Sequence, residues 1–297
     1  MKSKKLFPFF SILLFPLMVS AQESEKYEVP LSDPSAQVTL KISLINGGIS
    51  VKGYSGKLVI VEAKTSFESD DVVTPLPPGK YTPGSFGGNN NSDRNKKKNK
   101  AAGMKRIPNL SNGLSIEEDN NVVTIGSGRW GGNSKTDLFI QVPFNTTCKL
   151  STINDGNIEV ENVSGNHETS NNNGDITMKS ISGSALVNAL NGEILVTFSN
   201  VDSDAPMSFS SLNGDIDVTF PSNLKSDVYI KNEMGEIYSD FDVSLEKPKA
   251  KSDENGSGKK GKYKVVIDKG MRGTINGGGQ EIQITNFNGD IYLRKAK

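Results

Sequence analysis

The 297-residue chain is poor in the residues that usually carry site chemistry. It has one cysteine, Cys148, so no intrachain disulfide can form. It has one histidine, His167, which leaves a multi-histidine metal centre without ligands and a Ser-His-Asp triad without alternatives. It has no excess of charge of either sign: 34 Lys and Arg stand against 34 Asp and Glu. A nucleic-acid binder would show a strong basic footprint, so that class is excluded. Hydrophobic residues make up only 34%, and no stretch has the 3.6-residue apolar period of an amphipathic helix. The expected class is therefore all-β.

One apolar run stands at the start, "MKSKKLFPFFSILLFPLMVSAQES". Lys2, Lys4 and Lys5 form a basic leader, Leu6 to Val19 an apolar core, and Val19-Ser20-Ala21 a small-residue cleavage site. Residues 1–21 are read as a signal peptide, cut after Ala21. Pro8 and Pro16 interrupt the run, which is short for a membrane span. No cysteine follows at a lipobox position, and no later segment is apolar enough to span a bilayer. The mature chain, 31 basic against 34 acidic residues, is expected to be exported: periplasmic, secreted or on the cell surface.

What the chain does have is a repeat. "NGDI" stands at 173–176, 213–216 and 288–291, "NGEI" at 191–194 and "MGEI" at 234–237. Glycines fall every nine residues at 156, 165, 174, 183 and 192, and alternate segments differ, which makes the unit eighteen residues. With the glycine of each motif as zero, apolar residues lie at −7, −5, −2, +2 and +4. Around Gly214 these are Met207, Phe209, Leu212, Ile216 and Val218. The frame also fits around Gly47, Gly192 and Gly289. Alternation at −7/−5 and +2/+4 is the period of strands with one buried face. Asn-Gly between them tolerates a sharp corner.

Asn-Gly alone would suit a hairpin meander. A fixed short repeat suits a single-stranded β-solenoid, with a right-handed parallel β-helix of roughly 18-residue coils as the expected form. Asn46, Asn173, Asn191, Asn213 and Asn288 would then stack as an amide ladder. Residues 22–297 are read as one such domain. Two Pro-, Gly-, Asn- and Lys-rich insertions, 67–113 and 244–262, are expected to be flexible.

Few groups suggest chemistry. His167 and Cys148 fall at expected inward positions and are read as a polar rung and a small buried hydrophobe. Asp175, Glu193, Asp215 and Glu236, with Asp290 later, form an acidic column, the only candidates for a Ca²⁺ site; no other cofactor is implied. Arg129 and Trp130 in "SGRWGGN" are the candidates for stacking on a sugar, and packing over the end of the β core is the alternative. "KKKNK" at 96–100 is read as a solvated loop, and "NGGGQ" at 276–280 is no phosphate loop because no helix pattern follows it.

"DLFIQVP", "CKLSTINDGNIEVENVSG" and "SNNNGDITMKSISG" together resemble the bacterial putative-adhesin family of β-strand-repeat domains, with a more distant similarity to the heads of autotransporter-type adhesins. The resemblance spans about residues 38–293 outside the insertions. It implies a β-solenoid in the cell envelope with no established enzymatic activity. The expected function is a non-enzymatic structural or adhesive scaffold whose partner is a surface glycan or protein. One alternative is a polysaccharide-binding or polysaccharide-active β-helix, with Asp175, Glu193 and Asp215 beside Lys179 or Lys225. The other is a calcium-stabilised binding module.

Overall fold

The computed structural model describes residues 24–67, 114–127, 134–202, 204–246, 251–252, 265–266 and 270–297. The leader, the bulk of both insertions, and Arg129 and Trp130 lie outside the described residues. The described chain is all-β. The first strands are β1 (Ser24–Pro30), β2 (Val38–Asn46), β3 (Ile49–Tyr54), β4 (Leu58–Phe67), β5 (Leu114–Asp119), β6 (Val122–Ser127) and β7 (Ser134–Pro143). The repeat supplies β8 (Thr146–Asn154), β9 (Ile158–Glu161), β10 (Ser164–Asn173), β11 (Ile176–Asn191), β12 (Ile194–Val201), β13 (Met207–Asn213) and β14 (Ile216–Phe220). The last are β15 (Ser226–Met234), β16 (Ile237–Ser239), β17 (Val243–Leu245), β18 (Lys251–Ser252), β19 (Val265–Val266), β20 (Met271–Ile275), β21 (Glu281–Asn288) and β22 (Ile291–Lys295). All but β18 and β19 join one 20-stranded sheet. Phe67 closes β4 and Val243–Leu245 form β17, so the described strands reach slightly into both expected insertions.

The sheet folds into two rows around one core. The first row runs β5-β6-β2-β8-β10-β11-β13-β21-β15-β20-β17. The second runs β1-β4-β7-β3-β9-β11-β12-β14-β22-β16. The sixteen-residue β11 serves both rows, bending between them at Ser180 (φ 53°) and Gly183 (φ 105°). A rung is thus one strand of the first row, the Asn-Gly corner and one strand of the second. Phe198 and Phe220 of the second row stack at 5.1 Å, and Phe209 of the first meets them edge-on at 6.3 and 6.2 Å. The core therefore lies between the rows.

The expectation of a wholly parallel helix with sequential coils needs two corrections. First, the sheet is mixed. Between neighbouring repeat rungs the pairing is parallel, and eighteen residues separate partners such as Ile158 and Ile176 or Asn173 and Asn191. The outer strands β1, β4, β5, β17 and β20 are antiparallel. A parallel rung would otherwise end on a bare edge, and at three of the four row ends antiparallel strands cover it. Second, rungs are not stacked in chain order. The rung of β2 and β3 lies between that of β6 and β7 and that of β8 and β9. The rung of β21 and β22 lies between that of β13 and β14 and that of β15 and β16.

The frame holds at −7, −5, +2 and +4, where Met207, Phe209, Ile216 and Val218 are all buried. It fails at −2. Leu190, Leu212 and Phe287 are 42–47% exposed, and Ile45 is half-buried. Strict strand alternation continues from −7 and −5 to −3, which turns inward, and −2 turns out. The −3 slot holds Leu44 in the Gly47 rung and small or polar residues in others: Thr152, Asn171, Ala189, Ser211 and Asn286, all buried.

Candidate functional site

Three columns of polar groups meet at the corner. At −1, side-chain amides form a one-way ladder. Asn154 Nδ2 donates to Asn46 Oδ1 (3.2 Å), Asn173 to Asn154 (3.3 Å), Asn191 to Asn173 (3.0 Å), Asn213 to Asn191 (2.9 Å) and Asn288 to Asn213 (3.5 Å). The five expected asparagines are all in it. Asn154 is a sixth, concealed in the sequence by the extra residue of its Asn154-Asp155-Gly156 corner. Met234 takes the slot on the next rung and ends the ladder.

At −3 the buried or half-buried polar groups reach the carbonyl of the corner glycine on an adjacent rung. Thr152 Oγ1 donates to Gly47 O (2.9 Å), Asn171 Nδ2 to Gly156 O (2.9 Å), Asn286 Nδ2 to Gly214 O (3.0 Å) and Asn232 Nδ2 to Gly289 O (3.0 Å). These carbonyls sit where chain direction changes, so the ladder of the sheet alone does not serve them.

At +1 stand the acids. In spatial order the column is Asp137, Gly48, Asn157, Asp175, Glu193, Asp215, Asp290 and Glu236, so Asp290 comes before Glu236. Each short side chain accepts the backbone N–H of its neighbour. Asp137 Oδ1 takes Gly48 N–H (2.8 Å), Asn157 takes Asp175 (3.0 Å), Asp175 takes Glu193 (2.9 Å), Asp215 takes Asp290 (2.8 Å) and Asp290 takes Glu236 (2.9 Å). Partial burial, and then the charges of Asp175, Asp215 and Asp217, hold the Glu193 carboxyl above its usual range. Among the described residues no three His, Cys, Asp or Glu side chains are grouped to hold a metal ion. Apart from Glu193 and Glu236, the side chains of the column act as backbone caps.

His167 is buried. Its Nδ1 accepts the Cys148 N–H at 3.3 Å, which places the proton of the neutral ring on Nε2, on the side where the Ser182 and Val163 backbones approach the ring. Burial lowers its pKa to about 4 and raises that of the Cys148 thiol to about 12. Both groups are core material. Lys179 is exposed in β11 as the register partner of Glu161, and exposed Lys225 precedes β15 in the other row.

The outward surfaces offer more. On the first row the −2 residues Ile153, Leu190, Leu212 and Phe287 are 42–47% exposed, beside a parallel line of Ser151, Ser170, Asn188, Ser210 and Thr285. A shallow groove of about 500 Å³ lies along Leu190, Leu212 and Phe287, bordered by Lys231 and Glu233, which pair at 2.9 Å. A second groove of about 430 Å³ opens at the other end, where Gly48 leaves a gap in the +1 column between Asp137 and Asn157 and beside exposed Phe139.

The family model described as Toastrack DUF4097 matches residues 145–294, the stretch that carries most of these columns. The chain belongs to the Toastrack DUF4097 family. No curated protein matches this Toastrack chain. Among solved structures it is similar to a "putative cell adhesion protein" from Clostridium sporogenes, at 9% identity and a TM-score of 0.36, over 92% of this chain and 100% of that one.

Proposed function

We propose that this Toastrack chain is a non-enzymatic, exported β-solenoid scaffold with an adhesin-like role, binding a surface glycan or protein of the cell envelope. The observation that carries this reading is the outer face of the first row. It is a repetitive strip in which exposed apolar residues (Ile153, then Leu190, Leu212 and Phe287 beyond the exposed Asn172) run beside a line of hydroxyls and amides. Exposed apolar patches rimmed by polar groups mark interaction surfaces. Flat apolar contact with adjacent hydrogen-bonding groups suits sugar rings or a partner sheet. The corner acids support a scaffold role, since most of them cap backbone N–H groups. A likeness to autotransporter adhesin heads belongs to this same reading and rests on the shared strand repeat.

The test pairs cell fractionation with a glycan array and a whole-cell binding assay. Binding should fall about tenfold or more in the Leu190→Ser, Leu212→Ser, Phe287→Ser triple variant, while melting changes little. Retention of the chain in the cytoplasm, or binding unaltered in the triple variant, would overturn the reading.

A further inference from the structure

Three of the four row ends finish on antiparallel strands: β5, β1 and β17. The fourth finishes on β16, a parallel rung paired, among the described strands, only with β22. In interior rungs the glycine and +2 N–H groups donate to the next rung: Gly192 to Asn213 O, Ile194 to Asp215 O, Gly289 to Met234 O and Ile291 to Glu236 O, each at 2.9–3.0 Å. The same groups of the last rung, Gly235 N–H and Ile237 N–H, point where no described strand lies. β16 itself, Ile237-Tyr238-Ser239, carries neither a charge nor a proline, the usual guards of an edge.

The opposite end of the same column shows how this molecule closes such an edge. There the +3 residue of the first rung is the exposed Phe139, β4 pairs antiparallel with β7, and Lys64 of β4 places its ammonium 4.6 Å from the Phe139 ring centre. At the β16 end the +3 residue is Tyr238, 51% exposed, with one ring face stacked on Tyr292 at 5.2 Å. Arg294 already sets a guanidinium 5.0 Å from the Tyr292 ring, while bound to Asp217 at 2.8 Å. The segment 236–246 around the edge holds Glu236, Asp240, Asp242 and Glu246, all exposed, and no Lys or Arg of its own; the one cation shown packing on it is Lys295 of β22, 5.1 Å from the Phe241 ring centre. Those acids oppose edge-to-edge pairing of two copies and favour a basic occupant.

We infer that the β16 edge accepts an extended, lysine-bearing strand of a partner protein, added as β4 is added to β7, with a lysine over Tyr238 and backbone bonds to Gly235 and Ile237. This site is separate from the outer face invoked above, so either can fail alone. The probe is the fluorescent peptide Thr-Val-Lys-Val-Lys-Val-Thr, titrated by anisotropy into the intact mature chain. Binding should be weakened by salt, and about tenfold weaker for Tyr238→Lys, for a Glu-for-Lys peptide and for a peptide N-methylated on alternate residues. Slowed amide exchange at Ile237 on adding peptide gives a readout that needs no variant. Absence of binding, equal binding of the N-methylated peptide, or protection elsewhere than 235–239 would overturn the proposal.

Discussion

Gly214 sits where two rungs touch backbone to backbone. Its φ is +133°, and an added methyl would lie 2.2 Å from the Gly192 carbonyl oxygen. Gly214→Ala should therefore cost more than about 3 kcal/mol, seen as a lower denaturant midpoint. His167 gives the residue-scale pH prediction. Its folded pKa of about 4 lies below the ordinary 6.5 because burial disfavours the charged ring. A group held neutral in this way stabilises fully above pH 6.5. The contribution fades as the unfolded chain takes up the proton first, and about 3 kcal/mol is gone once the pH falls through 4. Melts at pH 7.5 and pH 4 should show that loss in the wild type and a smaller one in His167→Leu. The sequence showed which side chains are scarce and that His167 points inward. It did not show that the +1 carboxylates are spoken for, because an acid after a glycine reads the same whether it faces a cation or a neighbour's N–H.

Strand alternation decides what an element tolerates. Ile216 at +2 is fully buried, whereas Leu212 at −2 of the same motif is 42% exposed. Ile216→Asp should strongly destabilise the chain by burying an unpaired charge, and Leu212→Ser should shift stability by less than about 0.5 kcal/mol. Paired thermal melts check both; equal effects would mean the register is wrong. The apolar −7, −5, +2 and +4 positions were legible because the core demands them in most rungs, with His167 and Thr169 of the Gly174 rung and Ser239 of the last rung as departures. The −2 position is misleading because an apolar letter there looks the same as one in an inward slot. The period of two from −7 and −5 predicts −3 as the inward slot, and small or polar residues such as Ser211 and Asn286 disguised it.

At the scale of the whole molecule, slot chemistry is repeated and rung order is not. Every rung offers the same corner, so the repeat says which slot a residue fills and nothing about which rung is its neighbour. That is why the sequence could not place β21 and β22 inside the stack. It also changes the expected response to truncation. Most repeat proteins lose a terminal unit gradually. Removing residues 279–297 here takes out a rung held on both sides, by β13 and β14 and by β15 and β16. The truncated chain should lose its cooperative melt and become protease-sensitive, as followed by circular dichroism and limited trypsin digestion. A cooperative melt near that of the full chain would contradict the rung order.

The two intercalated rungs also bear on synthesis. As the chain emerges from the ribosome, β2 and β3 are made early but lie between strands that appear about a hundred residues later. At the far end, β15 and β16 find no seat until β21 and β22 fill the place beneath them. The last rung made is the keystone of one end of the stack. That end of the stack is therefore complete only when β21 and β22 have arrived, and the rung they form cannot peel away without parting two neighbours.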